Sequence, residues 1–250
     1  MQHIRSRERL AGGGEGLAIV ADRSLLMIAD IGGYTKFMKL HRMSLAHSQD
    51  ITGRLLKAVV ESSPISMVEL EGDAAFFCAP VDEVDSDAFT LSLEMHQAFH
   101  SQLERMVALN MCSCDACMQS RDLKVKFVGH VGEVATQTVG GRENLVGVDV
   151  IAVHRMLKNT VPVPEYVLMT ESLLEHCGAD ITAGTSEIEQ ELEGLGPARL
   201  FFVDLERLAL ERPPPPKPTL PGRLGETMGV VFRGLPAMLG LRRSRRTLAA

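Results

Sequence analysis

The segment Glu71-Gly72-Asp73 lies between two short apolar runs, Ile65 to Val68 and Ala74 to Ala79. A strand, a turn containing glycine and a second strand in such close succession can pair only antiparallel, because a parallel pair needs a crossover of roughly a dozen residues or more. Any sheet this chain forms therefore contains an antiparallel hairpin, with Asp73 at its tip. A second run, Ser24 to Ala29, is continuously apolar, as in a strand buried on both faces, and it ends at Asp30 before Gly32-Gly33. Two carboxylates thus fall at strand ends.

From Thr35 the apolar spacing becomes helical, with Phe37, Leu40, Ile51, Leu55 and Val59 on one face until Pro64 stops it. Asp85 or Ser86 is expected to cap a further helix running to about Asn110, with Phe89, Leu93, Phe99, Leu103 and Val107 facing the core. Leu123 to Val134 returns to a strand pattern. Val148 to Leu157 reads as a helix, Val161-Pro162-Val163-Pro164 breaks the chain, and Tyr166 to Thr170 and Leu200 to Val203 supply late strands. Strands and helices interleave around an obligatory antiparallel hairpin, which predicts an α+β fold. There is no internal repeat.

Residues 1–23 show no sustained period and read as a flexible lead-in; residues 24–211 form the domain. Pro213 to Pro216, with Pro218 and Pro221, suit neither helix interior nor sheet, so 212–221 reads as an extended linker. Residues 222–250 form a basic, hydrophobic tail, including Arg242, Arg243, Arg245 and Arg246 beside Leu239 and Leu241. This tail is either a disordered extension or a peripheral contact for an anionic membrane. The formal charge of −6 argues against a nucleic-acid partner. The absence of a long apolar run and of a secretory leader, with an odd count of five cysteines, predicts a cytoplasmic protein.

Four segments together resemble the class III adenylate and guanylate cyclases. Ile28-Ala29-Asp30-Ile31-Gly32-Gly33-Tyr34-Thr35 looks like that family's strand-turn, and Val68-Glu69-Leu70-Glu71-Gly72-Asp73-Ala74 is similar to the hairpin carrying its second aspartate. His130-Val131-Gly132-Glu133 resembles its His-x-Gly-Glu strand, and Gly147 through Arg155 keeps its spacing from a glycine to a catalytic arginine. More narrowly, the chain resembles a bacterial family of cyclase-like proteins marked by a Cys-x-Cys-x-x-Cys cluster, here Cys112 to Cys117, and a His-Arg-hydrophobic-Leu-Lys-Asn segment, here His154 to Asn159. The resemblance implies a ferredoxin-like core with helices on one face of an antiparallel-containing sheet.

It also implies roles for particular residues. Asp30, Ile31 and Asp73 would form a two-ion site for magnesium or manganese, hard cations suited to neutralising a triphosphate and polarising its attacking hydroxyl. Gly33, Tyr34 and Thr35 would hold phosphate oxygens, Glu69 and Asn144 would select the purine base, and Arg155 would stabilise charge on the transferring phosphate across a homodimer interface. A carboxylate at Glu69 can accept hydrogen bonds from the ring N–H and amino group of guanine. The bland alternatives are a helix cap for Asp30, a turn residue for Asp73, a solvated strand glutamate for Glu69 and a helix-surface ion pair for Arg155. Where the resembled enzymes place an asparagine that orients the ribose, this chain has Ile151, which cannot hydrogen-bond; His154 is a substitute donor.

Cys112, Cys114 and Cys117 give three soft ligands in a spacing compatible with zinc or an iron–sulfur cluster, or with a redox pair. The fourth ligand is His100, Cys177, Asp115 or a residue that the sequence does not name. Cys78, inside an apolar run, reads as core. Two functions follow: a metal-dependent cyclase making a 3′,5′-cyclic purine nucleotide from ATP or GTP, or a catalytically silent cyclase-homology module that binds nucleotide or metal as a signalling or redox sensor.

Overall fold

In a computed structural model, residues 22–40, 45–84, 87–109, 111–112, 114–177, 184–208, 217, 219–225 and 228 are described. Eight strands form one mixed sheet: β1 (Asp22–Gly32), β2 (Met67–Glu71), β3 (Ala74–Pro80), β4 (Lys124–Val139), β5 (Arg142–Val146), β6 (Tyr166–Thr170), β7 (Ser186–Leu192) and β8 (Gly196–Asp204). The helices are α1 (Tyr34–Leu40), α2 (Leu45–Ser62), α3 (Ala88–Leu109), α4 (Asp115–Gln119), α5 (Val148–Arg155) and α6 (Glu171–His176). The strand order is β2-β3-β1-β4-β6-β8-β7, with β5 paired to β4 outside that path. Among the described strands, β4 and β6 pair parallel and the other neighbours antiparallel.

β1 lies at the centre because its sequence is apolar on both faces. Leu25, Met27 and Ala29 point into one core layer, whereas Leu26 and Ile28 point into another, and all are nearly inaccessible. The first layer is roofed by α2 through Ile51, Leu55 and Val59, by α3 through Leu91, Met95 and Phe99, and by α6 through Leu173. The expectation of helices on one face holds for these three, but α5 is an exception: Val153 packs with Phe76 and Val128 on the opposite side. That second layer positions α5.

The hairpin at Gly72 forms as its turn chemistry demands, with Gly72 at φ 68° and β2 antiparallel to β3. Its first strand begins at Met67 rather than Ile65, which is buried ahead of it. The cap expected at Asp85 or Ser86 falls outside the described residues. The carboxylate of Asp87 does this work instead, accepting hydrogen bonds from the Thr90 backbone N–H at 2.9 Å and from its hydroxyl at 3.0 Å. β1 starts at Asp22, ahead of the expected boundary. Residues 1–21, Pro213 to Pro216 and the tail beyond Met228 lie outside the described residues. Among those described, no helix is long and apolar enough to cross a membrane.

Candidate functional site

Asp30 occupies the end of β1, opposite Ala74 on β3 and Lys126 on β4. Asp73 follows Gly72 in the turn, where its carbonyl accepts the N–H of Ile31 at 3.1 Å. That backbone bond pulls the tip of the hairpin against the end of β1 and brings the two carboxylates together. Burial, followed by the charge of Asp30, raises the Asp73 carboxyl above the ordinary range, against lowering contributions from its own backbone and from Lys126. Lys126 sets its Nζ 3.0 Å from Asp30 Oδ2. Burial alone would lower that ammonium, but Asp30 chiefly, then Tyr166 and Asp73, hold it above its usual value, so it stays charged. A lysine thus partly neutralises a compact pair of acids that burial would otherwise penalise. Two adjacent carboxylates with a surplus of negative charge suit a hard divalent cation.

Ile31 is buried, and its side chain belongs to the core. Gly33 has φ 83°, a left-handed conformation that glycine tolerates, and its carbonyl accepts the N–H of Phe37 at 3.0 Å to open α1 at Tyr34. Tyr34 packs partly against the first core layer.

Glu69 on β2 and Asn144 on β5 line one cavity of about 580 Å³, together with Glu71, Phe76, Arg142 and His154. The β4–β5 hairpin, turning at Gly140-Gly141, supplies the Asn144 wall. His154 points its Nε2 at Glu71 Oε1, 3.1 Å away, and stands edge-on to the Phe76 ring at 5.0 Å. Arg155, at the last turn of α5, is partly exposed and pairs with Glu193 at 2.6 Å. Ile151 and Val148 on the same helix are 49% and 65% exposed, values that put apolar side chains in water where no core claims them.

The spacing of His-x-Gly-Glu acquires a mechanical reason here. His130 Nε2 lies 3.1 Å from Asp149 Oδ1 in the first turn of α5, and its Nδ1 lies 2.9 Å from the Thr170 hydroxyl. The Glu133 N–H donates to Asp149 Oδ2 at 2.6 Å. Any side chain at Gly132 would collide with Asp149, since a Cβ there would come within 2.4 Å of its carboxyl. The His154 to Asn159 segment closes the other end of α5: Asn159 Oδ1 accepts from the Tyr166 hydroxyl at 3.0 Å and the Val161 N–H at 3.2 Å, while its Nδ2 donates to the Met156 carbonyl at 2.7 Å.

Cys112, Cys114 and Cys117 come together, and His47 of α2 joins them; one ligand atom from each of the four lies within 4.8 Å of all the others. His47 Nδ1 is 3.4 Å from Cys114 Sγ, and its Nε2 is 3.3 Å from Cys117 Sγ. The three residues expected as fourth ligand are elsewhere. His100 is bound to Glu165 at 2.7 Å, Cys177 is buried in the main core, and Asp115, although beside Cys114 in the chain, is not a member of the group.

A third cluster had no sequence signal. Glu165, just after the Pro162 and Pro164 break, is fully buried, with His100 Nε2 at 2.7 Å, His96 Nε2 at 3.4 Å, the Val125 N–H donating at 3.1 Å and Lys124 Nζ at 3.8 Å. Burial would raise its carboxyl, but the imidazoles of His100 and His96 and the Val125 N–H outweigh that and hold it far below the usual carboxylate range. Lys126, His47 and Glu165 are the residues that reading the sequence missed; their partners come from distant elements, and no local motif joins them.

A family described as protein of unknown function (DUF2652) matches residues 52–166. The uncharacterized protein Rv2561/Rv2562 of Mycobacterium tuberculosis (strain ATCC 25618 / H37Rv) is 34% identical over 192 residues, covering 76% of this chain and 90% of the relative. Among solved structures, a bacterial light-regulated adenylyl cyclase superposes with a TM-score of 0.56 at 13% identity, over 85% of this chain and 57% of that one, so this chain spans little more than half its length. The guanylyl cyclase Cya2 gives 0.53 at 16% identity over 77% and 99%, and the guanylate cyclase domain of RhGC from Catenaria anguillulae, solved with GTP, gives 0.51 at 17% over 73% and 96%. The fold is that of class III cyclase catalytic domains.

Proposed function

The chain belongs to one family with the mycobacterial protein Rv2561/Rv2562, and on that footing we propose that it is a nucleotidyl cyclase-like protein. It uses magnesium or manganese to convert ATP or GTP to the 3′,5′-cyclic monophosphate and pyrophosphate. The observation that carries this reading is the juxtaposition of Asp30 and Asp73, with Asp73 half-buried against its neighbour and only partly compensated by Lys126. When bound, divalent ions supply charge neutralisation of the triphosphate and acidify the attacking 3′-hydroxyl. Asp30 and Asp73 hold those ions, and Gly33, Tyr34 and Thr35 flank the phosphates.

Glu69 and Asn144 face the base from the walls of their shared cavity. Arg155 turns from Glu193 to the α-phosphate of a nucleotide held by a second copy of the chain. Giving up an exposed ion pair costs under about 1 kcal/mol, so this pairing does not prevent the exchange. Exposed Met67, Val68 and Leu70 on edge strand β2, with Val148 and Ile151 on α5, support a homodimer interface. Thiols outside any disulfide accord with a cytoplasmic setting. Cys112, Cys114 and Cys117 form a separate cofactor site, for zinc or an iron–sulfur cluster.

The second reading, a silent module that binds nucleotide without turning it over, is favoured by one observation: Ile151 presents hydrocarbon where an amide would orient the ribose. Incubation with ATP or GTP and either metal, followed by mass spectrometry beside an Asp30→Ala control, separates the two. Cyclic nucleotide that vanishes in the control supports the enzyme; no product with either metal, alongside retained metal-dependent nucleotide binding, leaves the silent module.

A further inference from the structure

The thiol cluster supports a sharper statement than zinc or an iron–sulfur cluster, and it rests on the reading of those three cysteines as a cofactor site. We infer that His47, Cys112, Cys114 and Cys117 form a closed, mononuclear zinc site that fastens the segment between α3 and α4 to the first turn of α2.

The first argument is ligand type. Three sulfurs and one imidazole are the donor set of structural zinc, which takes four protein ligands in tetrahedral array. The second is distance. A tetrahedral ion with bonds of about 2.3 Å to sulfur and about 2.0 Å to nitrogen holds its ligand atoms roughly 3.4–3.8 Å apart. His47 touches two of the sulfurs through its two different nitrogens, one of which would bind the ion, and one ligand atom from each of the four residues lies within 4.8 Å of all the others. An iron–sulfur cluster places iron and sulfide between its thiolates, which must then stand farther apart than this group does. The spacing suits one ion and leaves no room for a cluster.

The third argument is local structure. Cys114 is the residue before the first turn of α4, in extended conformation, yet its side chain makes no capping bond there. It turns toward His47 instead. α4 is five residues long, too short to be stable alone, and in the apolar layer it offers one fully buried side chain, Ala116. A helix of that size needs an anchor other than burial. Each thiol that carries a proton releases it to solvent as its sulfur takes the ion.

Access is provided by a cavity of about 400 Å³ beside the cluster, bordered by Cys112 and Cys117 with Met111, Met118, Arg54 and Arg121. The ion can therefore enter the folded domain. Neither Asp30 nor Asp73 is among its four ligands, and nothing in its geometry depends on cyclase activity.

The test is elemental analysis of the full chain purified without added metal, paired with cobalt titration of protein stripped by chelator. One zinc per chain, and cobalt bands typical of tetrahedral thiolate coordination, are the expected results. His47→Ala should weaken zinc by more than the 10–100-fold that loss of an outer-shell partner costs, and His47→Cys should restore it. Stoichiometric iron with sulfide would overturn the mononuclear site while leaving a cofactor at these cysteines. Protein that takes up neither metal, even when wild type and folded, would overturn both, and zinc affinity unchanged in His47→Ala would remove His47 from the ligand set.

Discussion

The two candidate metal sites of this domain differ in hardness, closure and the way they are assembled. The carboxylates of Asp30 and Asp73 are contiguous with the sheet itself, one at a strand end and one in the adjoining turn, and a lysine stands beside them. The thiol cluster draws on a helix, a connecting segment and a five-residue helix, and is complete in four ligands. Oxygen ligands in an incomplete shell suit an ion that must share its coordination with a substrate. Sulfur and nitrogen in a complete shell suit an ion that holds chain to chain. On the proposed reading, chemistry and architecture fall to different ions, and each site should be open to removal without the other.

The largest expected effect tests that independence from the thiol side. A Cys112→Ser, Cys114→Ser double variant loses zinc altogether, while its magnesium-dependent nucleotide affinity, followed by titration calorimetry, changes by less than about twofold. The accompanying loss of stability is on the order of 4 kcal/mol, the linkage expected of an ion present at about a thousand times its Kd. This is a fall of roughly 8–16 °C in Tm for a domain of this size.

The buried cluster of His96, His100 and Glu165 sharpens the contrast, because it too gathers possible ligands but satisfies them with its own charges. Total zinc should remain one per chain, and Glu165→Gln should leave that number unchanged while destabilising the protein by about 3–5 kcal/mol, the cost of breaking a buried pair. The sign with pH is fixed by a carboxyl held below its usual range. Its contribution to stability is present above the ordinary glutamate pKa and is lost as pH falls toward the depressed value in the folded state. Thermal melting of wild type and Glu165→Gln at a series of pH values should converge only in strong acid.

From the carboxylate side, Asp73→Ala is expected to weaken magnesium-dependent nucleotide binding by about a hundredfold, the several kcal/mol that an ion contributes to a phosphate site, with zinc content untouched. Calorimetry and elemental analysis on the same preparation read both. The smallest effect probes turnover: Ile151→Asn restores an amide at the ribose position and should raise cyclic product by tenfold or more, a modest share of what a single well-placed donor is worth (roughly 10²–10³). A variant that folds, binds nucleotide and still makes no product would separate the silent module from an impaired enzyme.

How much of this was legible beforehand divides along the same line. β1, β3, α2 and α3 announce themselves because burial leaves its mark in the sequence, and the turn before β3 because of its glycine. β5 and β7 do not. Arg142–Val146 and Ser186–Leu192 are largely exposed, rich in charge and held by their neighbours in the sheet rather than by an apolar stripe. The aspartate end was readable since its residues lie in two short, motif-like segments joined by a register. The cysteines were readable as a spacing, but His47 was not, because only the docking of α2 onto the α3–α4 connection puts an imidazole beside them. Asp87 in place of Asp85 or Ser86 shows the usual limit: the kind of residue that starts a helix is predictable, its position to within a residue or two.

The bonds at either end of α5 have a consequence for how the molecule could work. Asp149 is clamped by His130 and the Glu133 N–H at the start of the helix, Gly132 admits no side chain between them, and Asn159 ties the end to Tyr166. A rod gripped at both ends cannot swing. In the proposed homodimer Arg155 would therefore have only the reach of its own side chain, and larger adjustment of its distance to the neighbour's carboxylates would come from one whole subunit rolling against the other. A signal that governs such a dimer would act as a change of angle between rigid halves, with the exposed apolar residues of β2 and α5 at their contact.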